Sequence, residues 1–268
     1  MPGVADSQVE RFVTHDGLSL AYTVDGDGPT VVLLHGMTAD SRINWQDPGI
    51  AAALVQAGWR VVLLDARGHG SSDRRAEIEL HERHRHAGDL VALLDHLEVG
   101  TCAAVGYSLG ATTVALALPD EPRISVAVLA GIGLASIDPY PGGPETDAVL
   151  AALDADTDDD VEPMLRPYRE HLRSWDASFD VAAATLRALQ RPTTFHLDRI
   201  AAPVLVLNGS DDAPASELAD RIPGARQRTV PGAHGTAPLE PDFVAAVLEF
   251  LDEHRGALTD RGGPVPAR

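Results

Sequence analysis

Short apolar runs recur along this chain, and each ends in glycine or in a polar loop. The strong ones are GPTVVLLHG (28–36), WRVVLLDARG (59–68), TCAAVGYS (101–108), ISVAVLAG (124–131) and APVLVLNGS (202–210). Runs of this length, bounded by turn residues and rich in valine and leucine, are typical of buried β-strands. A weaker run, RQRTVPG (226–232), predicts one further strand.

Segments with helical spacing lie between these runs. DPGIAAALVQAG (47–58) starts with an aspartate cap and a proline, and HAGDLVALLDHLEVG (86–100) repeats leucine along one helical face. EPDFVAAVLEFLDEH (240–254) has the same character. Strands that alternate with helices predict an α/β fold with a mostly parallel, doubly wound sheet. RFVTHDG (11–17) and SLAYTVDG (19–26) predict an antiparallel hairpin at one edge of that sheet.

The alternation breaks between residues 134 and 199, where short amphipathic pieces and an acidic stretch replace it. We interpret 134–199 as a short helical lid, inserted into a core that consists of residues 1–133 and 200–256. A chain of 268 residues is long enough for one large domain with such an insertion. The last residues, 257–268, are predicted to form a disordered tail.

The charge balance argues against two classes of partner. The chain has 40 acidic and 21 basic residues, for a formal charge of −19. Such a surface repels phosphate backbones and anionic lipids, so we expect no nucleic-acid and no membrane partner. The first residues have no cationic start and no apolar core, and no apolar span reaches the roughly 18 residues of a transmembrane helix. We therefore expect a soluble, cytoplasmic protein.

All 21 basic residues are arginine, and the chain contains no lysine. Schiff-base aldolases, pyridoxal-phosphate enzymes and Ser–Lys hydrolases need a lysine amine, and P-loop nucleotide hydrolases need a lysine for phosphate. The absence of lysine excludes these four classes.

The residues that could bind a metal do not form a coherent ligand set. Cys102 is the single cysteine, which excludes an internal disulfide and any multi-cysteine zinc or iron–sulfur site. HERHRH (81–86) lacks a clear ligand geometry, and its arginines oppose a cation, so we interpret it as a solvent-facing loop and helix start. The acidic stretch 154–160 lacks the glycine and glutamate of an EF-hand, because Asp159 and Leu165 occupy those positions. We expect no metal and no cofactor.

The pentapeptide GYSLG (106–110) matches G-x-S-x-G at the point where a predicted strand changes to a predicted helix. Its glycines make room for a strained turn that exposes the serine. We predict that Ser108 is a nucleophile. The helix that starts at Leu109 points its amide end toward negative charge at the serine, so the N–H of Leu109 is predicted to donate to an oxyanion.

An acid and a histidine follow in the order that a Ser–acid–His triad requires. Asp211 and Asp212 come directly after one predicted strand, and His234 lies in the loop after the next. His234 would take the serine proton and return it to the leaving group, while an aspartate holds the imidazole in the correct tautomer. Adjacent residues that leave a strand point in opposite directions, so only one of the two aspartates can reach His234.

Five motifs together resemble the α/β-hydrolase superfamily, in particular its small serine esterase and haloperoxidase-like (perhydrolase) branch. They are LLHG (33–36), LDARGHGSSD (64–73), GYSLG (106–110), LNGSDD (207–212) and PGAHGTAPLEP (231–241). The resemblance implies an α/β-hydrolase sheet and an acyl-enzyme formed on Ser108 during cleavage of a carboxylic ester of a small molecule. It also implies that Asp212 is the acid, since the family's acid commonly stands three residues after the glycine that ends this strand. The second oxyanion donor would be the N–H of Met37.

The same fold hosts other chemistries, and the residues discriminate among some of them. Haloalkane dehalogenases and epoxide hydrolases resemble this chain but use aspartate at the position of Ser108. Plant-type hydroxynitrile lyases add a lysine that this chain lacks. Perhydrolases stay compatible with the sequence, although they usually carry an aromatic residue at the position of Met37. A carbon–carbon bond hydrolase and a non-catalytic small-molecule receptor are compatible with it as well.

Overall fold

A single sheet of eight strands runs through the molecule in the order β1-β2-β4-β3-β5-β6-β7-β8. The structure is a computed structural model that describes residues 8–137 and 143–259. The strands are β1 (Glu10–Val13), β2 (Ser19–Asp25), β3 (Thr30–Leu34), β4 (Arg60–Leu64), β5 (Cys102–Tyr107), β6 (Ile124–Ala130), β7 (Val204–Gly209) and β8 (Arg226–Val230). β2 pairs antiparallel with both β1 and β4, and the pairs from β4 through β8 are parallel.

Helices connect the strands and cover the sheet. The α-helices of the described residues are α1 (Ile50–Gln56), α2 (Arg83–His96), α3 (Leu109–Ala117), α4 (Pro144–Asp154), α5 (Arg166–Ser174), α6 (Phe179–Leu189), α7 (Ser216–Ala219), α8 (Pro241–Glu253) and α9 (Gly256–Thr259). Short 3-10 turns include 78–81, 134–136, 158–160, 163–165, 197–199 and 237–239, and 42–46 forms a π-helical turn.

Two apolar clusters lie on opposite faces of the sheet, as the alternation of side chains along a strand requires. On β3, Val32 and Leu34 point into the cluster that α2 and α3 cover, whereas Val31 and Leu33 point into the cluster beneath α1 and α8. All five residues of this strand are buried, which explains why four of them, all except Thr30, are apolar rather than alternating with polar residues. The predicted mostly parallel, doubly wound sheet with an N-terminal antiparallel hairpin is confirmed.

The order of the strands reverses at β3. The chain moves from β3 to β4 on one side and then crosses back, so that β5 pairs with β3 on the other side. Loops that leave β3 and β5 therefore diverge at the carboxyl edge of the sheet, and a crevice of this kind is where open α/β sheets bind ligands. Ser108 directly follows β5 at this position.

The residues between β6 and β7 contain helices α4, α5 and α6. Within the described part of this segment, an apolar cluster forms around Leu153, Leu172 and Leu186. The first residues of the predicted lid include 138–142, which lie outside the described residues. No helix among the described residues is long and apolar enough to span a membrane.

The predictions for the start of α1 and for the C-terminal tail differ from the structure. The helix predicted over 47–58 begins at Ile50 behind Gly49, which has a left-handed φ of 80°, so the predicted aspartate cap is wrong. Asp47 instead closes the π-helical turn of residues 42–46. Residues 257–259 of the predicted disordered tail form most of α9, where Leu258 is buried against the sheet, and 260–268 lie outside the described residues.

Two glycines in helices provide a matched test of the contact between α3 and the sheet. A Cβ on Gly110 would lie 2.1 Å from the carbonyl oxygen of Leu34, whereas a Cβ on Gly88 in α2 meets nothing within 4 Å. We expect Gly110→Ala to lower the free energy of unfolding by about 3 kcal/mol or more, because the backbone must move apart. Gly88→Ala should raise it by about 0.5–1 kcal/mol through helix propensity. Urea unfolding measures both values, and similar values for the two variants would contradict the close packing described here.

Candidate active site

Ser108 lies on a strained turn between β5 and α3. Its backbone has φ 52° and ψ −113°, a conformation that is uncommon for a residue with a side chain. The turn is possible because the flanking glycines approach other backbone closely: a Cβ on Gly106 would lie 2.3 Å from the carbonyl oxygen of Gly110. The hydroxyl is thereby presented at the carboxyl edge of the sheet with the amino end of α3 beneath it.

The structure brings the three predicted triad residues together. Nε2 of His234 lies 3.1 Å from Oγ of Ser108, and Nδ1 of His234 lies 2.9 Å from Oδ2 of Asp212. Because a carboxylate only accepts, Nδ1–H donates to Asp212 and Nε2 is left to accept the serine proton. The His234 side chain is half exposed, with 53% of its surface accessible, whereas the Asp212 side chain is buried, with 9% accessible.

The acid of this arrangement is Asp212 rather than Asp211. Asp211 is exposed and its Oδ1 accepts a long hydrogen bond of 3.4 Å from Oγ of Ser210. Oδ1 of Asp212 accepts the N–H of Ala213 at 2.7 Å, which orients the carboxylate toward His234. Burial alone would raise the pKa of Asp212, but the hydrogen bond and charge of His234 lower that pKa below its usual value.

Asn208 lies in the motif LNGSDD without a predicted role, and it anchors the loop that carries Asp212. This residue is 1% exposed at the end of β7. Its side-chain amide donates to the carbonyl oxygens of Ile132 and Ala213, and its Oδ1 accepts the N–H of Gly131 at 3.1 Å. The signal for this role in the sequence is an amide side chain in an otherwise apolar, buried strand. Burying such a group is costly unless it is hydrogen-bonded, so Asn208 is expected to have partners.

Met37 lies in a loop after β3 that is pressed against the nucleophile. A Cβ on the preceding residue, Gly36, would lie 3.3 Å from Cβ of Ser108. The N–H of Gly36 donates to Oδ1 of Asn44 at 2.7 Å, and that of Thr38 donates to Nε2 of His69 at 3.0 Å. The N–H of Met37 lies between these two amides, each of which already donates a hydrogen bond. Within 8–137 and 143–259, the N–H of Met37 has no hydrogen-bond acceptor.

Leu109 supplies the other predicted donor. It is the first residue of α3, and the first amides of a helix have no acceptor within the helix. The N–H groups of Leu109 and Met37 therefore belong to the two segments that meet at Ser108. This is the arrangement that an oxyanion formed at a carbonyl bound to Ser108 requires.

Two buried histidines hold the loop after β3. Nδ1–H of His69 donates to the carbonyl oxygen of Arg67 at 2.9 Å, which leaves Nε2 to accept from Thr38. His35 uses Nδ1–H for the carbonyl oxygen of Gly36 and Nε2 for the N–H of Ala66. Both rings act through hydrogen bonds to backbone and so organise the loops around them. Burial and the neighbouring His35 lower the pKa of His69 from 6.5 to about 3.

The side chain of Met37 packs against the apolar cluster of the segment between β6 and β7. That cluster has the buried residues Leu153, Leu172, Ala182, Ala183 and Leu186 at its centre. The same segment is tied to the core elsewhere, since Oγ1 of Thr185 lies 3.1 Å from Nδ1 of His81. The helices after β6 therefore cover the loop that presents the N–H of Met37.

The interpretation of HERHRH as solvent-facing is wrong for two of its three histidines. His81 is 1% exposed because the turn 78–81 packs against α6, and His86, which is 3% exposed, lies beside the ring of His81. Of the three histidines, His84 is the exposed one. Nε2 of His81 hydrogen-bonds the carbonyl oxygen of Arg75. In the part of the chain that the structure describes, no three His, Cys, Asp or Glu side chains converge as a metal site would need.

Ser108, His234 and Asp212 lie within hydrogen-bond distance in the order predicted for a nucleophile, a base and an acid. The chain belongs to the family described as the alpha/beta hydrolase fold, which matches residues 29–163, half of its length.

Relatives and solved structures agree with this membership. The chain is 35% identical over 115 residues to an epoxide hydrolase of Caballeronia sordidicola, covering 42% of this chain and 34% of that protein. It is 35% identical over 121 residues to the pyrrolizixenacetamide deacetylase of Xenorhabdus hominickii, covering 44% and 43%. The chain thus spans less than half the length of these curated relatives. A bromoperoxidase structure from Bacillus anthracis superimposes with a TM-score of 0.72 at 26% identity, over 91% of this chain and 100% of that one.

A pair of adjacent variants tests the assignment of the acid. Asp212→Asn should lower kcat for any substrate that depends on Ser108 by about ten-thousandfold, because the amide favours the wrong imidazole tautomer. Asp211→Asn, which alters an exposed side chain, should leave kcat close to wild type. Steady-state kinetics of both variants provide the measurement, and the reverse pattern would show that the two aspartates have exchanged roles.

The lowered pKa of His69 predicts a pH dependence of stability. The unfolded chain binds a proton at this residue below pH 6.5, whereas the folded protein binds it only near pH 3. The contribution of His69 to stability is therefore fully present above pH 6.5 and is lost by about 1.4 kcal/mol for each pH unit below it, down to about pH 3. Urea unfolding at pH 7, 6, 5 and 4 should show a shallower loss in His69→Gln than in wild type. Equal slopes for the two proteins would contradict this.

Proposed function

We propose that this chain is a serine hydrolase that cleaves carboxylic esters of small molecules through an acyl-enzyme on Ser108. The observation that carries the proposal is the continuous hydrogen-bonded line from Ser108 through His234 to Asp212, with distances of 3.1 and 2.9 Å. A serine hydroxyl is a weak nucleophile unless an adjacent base removes its proton, and this line provides the base and the group that orients it.

The reaction follows from these positions. Oγ of Ser108 attacks the ester carbonyl carbon while Nε2 of His234 takes the hydroxyl proton. The carboxylate of Asp212 stabilises the imidazolium that forms, and the N–H groups of Met37 and Leu109 donate to the developing oxyanion. His234 then returns the proton to the leaving alcohol. Water, activated by the same imidazole, releases the acid from Ser108.

Ser108 itself supports ester chemistry over epoxide opening. Several relatives are named epoxide hydrolases, including those of Caballeronia sordidicola and Mycobacterium tuberculosis. The family resemblance implies aspartate at the nucleophile position of such enzymes, and this chain has serine there. The deacetylase among the relatives is named for removal of an acyl group, which agrees with attack at a carbonyl.

The segment between β6 and β7 supports small, water-soluble esters as substrates. Among its described residues, Met164 is the one large apolar side chain that is strongly exposed. Several of its carboxylates are exposed as well, including those of Asp154, Asp159 and Glu162. A surface of this kind has little apolar area to insert into a lipid interface.

Perhydrolysis is the second candidate activity, and the similarity to a bromoperoxidase structure favours it specifically. Hydrogen peroxide in place of water would attack the same acyl-enzyme and release a peracid. The chemistry up to the acyl-enzyme is shared, so the two activities differ only in the molecule that releases the acyl group from Ser108.

A substrate comparison with one variant tests the proposal. Wild type should hydrolyse p-nitrophenyl acetate, and Ser108→Ala should reduce kcat by about three orders of magnitude or more. A fluorophosphonate probe should label wild type and fail to label the variant, as mass spectrometry of the labelled peptide would show.

Ser71→Ala is the matched control, because Ser71 is exposed and lies outside the triad. The opening of styrene oxide and peracid formation from acetate esters with hydrogen peroxide are measured in parallel. Epoxide opening that survives Ser108→Ala, together with no ester turnover, would overturn the proposal.

A further inference from the structure

Tyr107 immediately precedes the nucleophile and reaches the residue that carries the base. Its hydroxyl donates a hydrogen bond to the backbone carbonyl oxygen of His234. The centroids of the Tyr107 and His234 rings are 5.4 Å apart, with an angle of 42° between the planes. Neither contact is required by the triad itself, which uses the side chain of His234 and not its carbonyl group.

The ring of Tyr107 has a tightly fitted place in the structure. Tyr107 is 4% exposed. A Cβ on Gly131, which has a φ of +66°, would lie 2.8 Å from Cζ of this ring, and Phe243 of α8 packs against it edge-on with centroids 6.0 Å apart. Because the ring is held by these neighbours, the position of its hydroxyl is determined by the core and not by the loop that it contacts.

The loop that carries His234 needs a contact such as the Tyr107 hydrogen bond to fix its position. The His234 side chain is 53% accessible, so packing does little to hold the imidazole. Within the loop, the N–H of Ala233 donates to Oγ1 of Thr236, a bond that shapes the turn but does not connect it to Ser108. The hydroxyl of Tyr107 links the backbone of the base to the strand that ends at the nucleophile.

We propose that Tyr107 is a positioning residue: its hydroxyl holds the backbone of His234 at the distance that lets Nε2 meet Oγ of Ser108. This role rests on the proposed function, because it assigns Tyr107 to the line from Ser108 to Asp212. A displacement of about 1 Å in such a line can cost about a hundredfold in rate.

The chemical state of the hydroxyl suits this role. A phenol donates a hydrogen bond to a carbonyl oxygen only while it is protonated. Burial, reinforced by the negative charge of Asp212, raises the pKa of Tyr107. The donor therefore stays available throughout the range of pH in which a histidine can act as a base.

Tyr107→Phe tests the proposal because it keeps the ring and its packing and removes only the donor. We expect kcat for p-nitrophenyl acetate to fall by about ten- to a hundredfold with KM unchanged. Labelling by a fluorophosphonate should slow by a similar factor, since it also needs His234 to deprotonate Ser108.

Tyr22→Phe is the matched control. Tyr22 is a buried tyrosine on β2 whose hydroxyl bonds Oε2 of Glu10 and Nε2 of His96 at 3.0 and 3.1 Å. Its loss should cost stability without lowering kcat per folded molecule. A value of kcat for Tyr107→Phe within about twofold of wild type, or a loss no larger than that of Tyr22→Phe, would overturn the proposal.

A spectroscopic readout separates this proposal from the function on which it rests. In protein labelled with ¹⁵N-histidine, the ring shifts of His234, assigned by their loss in His234→Gln, should report the Nδ1–H tautomer in wild type. Tyr107→Phe should show an increased share of the other tautomer. If wild type lacks turnover dependent on Ser108, the proposed function fails while this measurement still decides the role of Tyr107. Unchanged ring shifts in the variant would refute it.

Discussion

The site depends on one close backbone contact, the approach of α3 to the end of β3. A Cβ on Gly110 would lie 2.1 Å from the carbonyl oxygen of Leu34 and 2.8 Å from that of His35, so only glycine permits this distance. The contact places the amino end of α3 beside the loop that follows β3. Ser108 and the N–H groups of Leu109 and Met37 are neighbours for that reason. If α3 lay further from the end of β3, these groups would no longer be adjacent, even with every one of them still present in the sequence.

Rigid support for the loop after β3 comes from buried polar groups rather than from apolar packing alone. Arg67, 1% exposed, makes two hydrogen bonds of 2.6 Å to Asp89 and one of 2.9 Å to Asp16. This pairing anchors the loop after β4, from which His69 reaches Thr38. A buried charge without its partner is strongly destabilising, so the network can exist only in the fully assembled fold. The position of the loop around Met37 is thus fixed by groups that lie far apart in the sequence.

Much of the sheet could be predicted because it is encoded locally. The run at 31–34 is buried on both faces, and a strand of this kind is apolar along its length, which is visible in the sequence directly. The cap of α1 could not be predicted in the same way. Asp47 and Pro48 have the residue types of a helix start, but the preceding π-helical turn carries the chain past them, and α1 begins at Ile50. The burial of HERHRH could not be predicted for a similar reason, since burial of His81 is decided by α6, which lies about a hundred residues further along the chain.

The sequence by itself determined which residue types stand at the ends of the strands: a serine between glycines after β5, two aspartates after β7 and a histidine after β8. It could do so because the motif spacing and the strand pattern are both short-range. The family resemblance implied Asp212 as the acid, but only the tertiary structure gave the 2.9 Å contact of Asp212 with His234 and brought Tyr107 to the carbonyl of His234. These choices depend on the twist of the sheet and on how closely β5, β7 and β8 bring their loops together. Such distances arise from the packing of the whole core and are not encoded in any one segment.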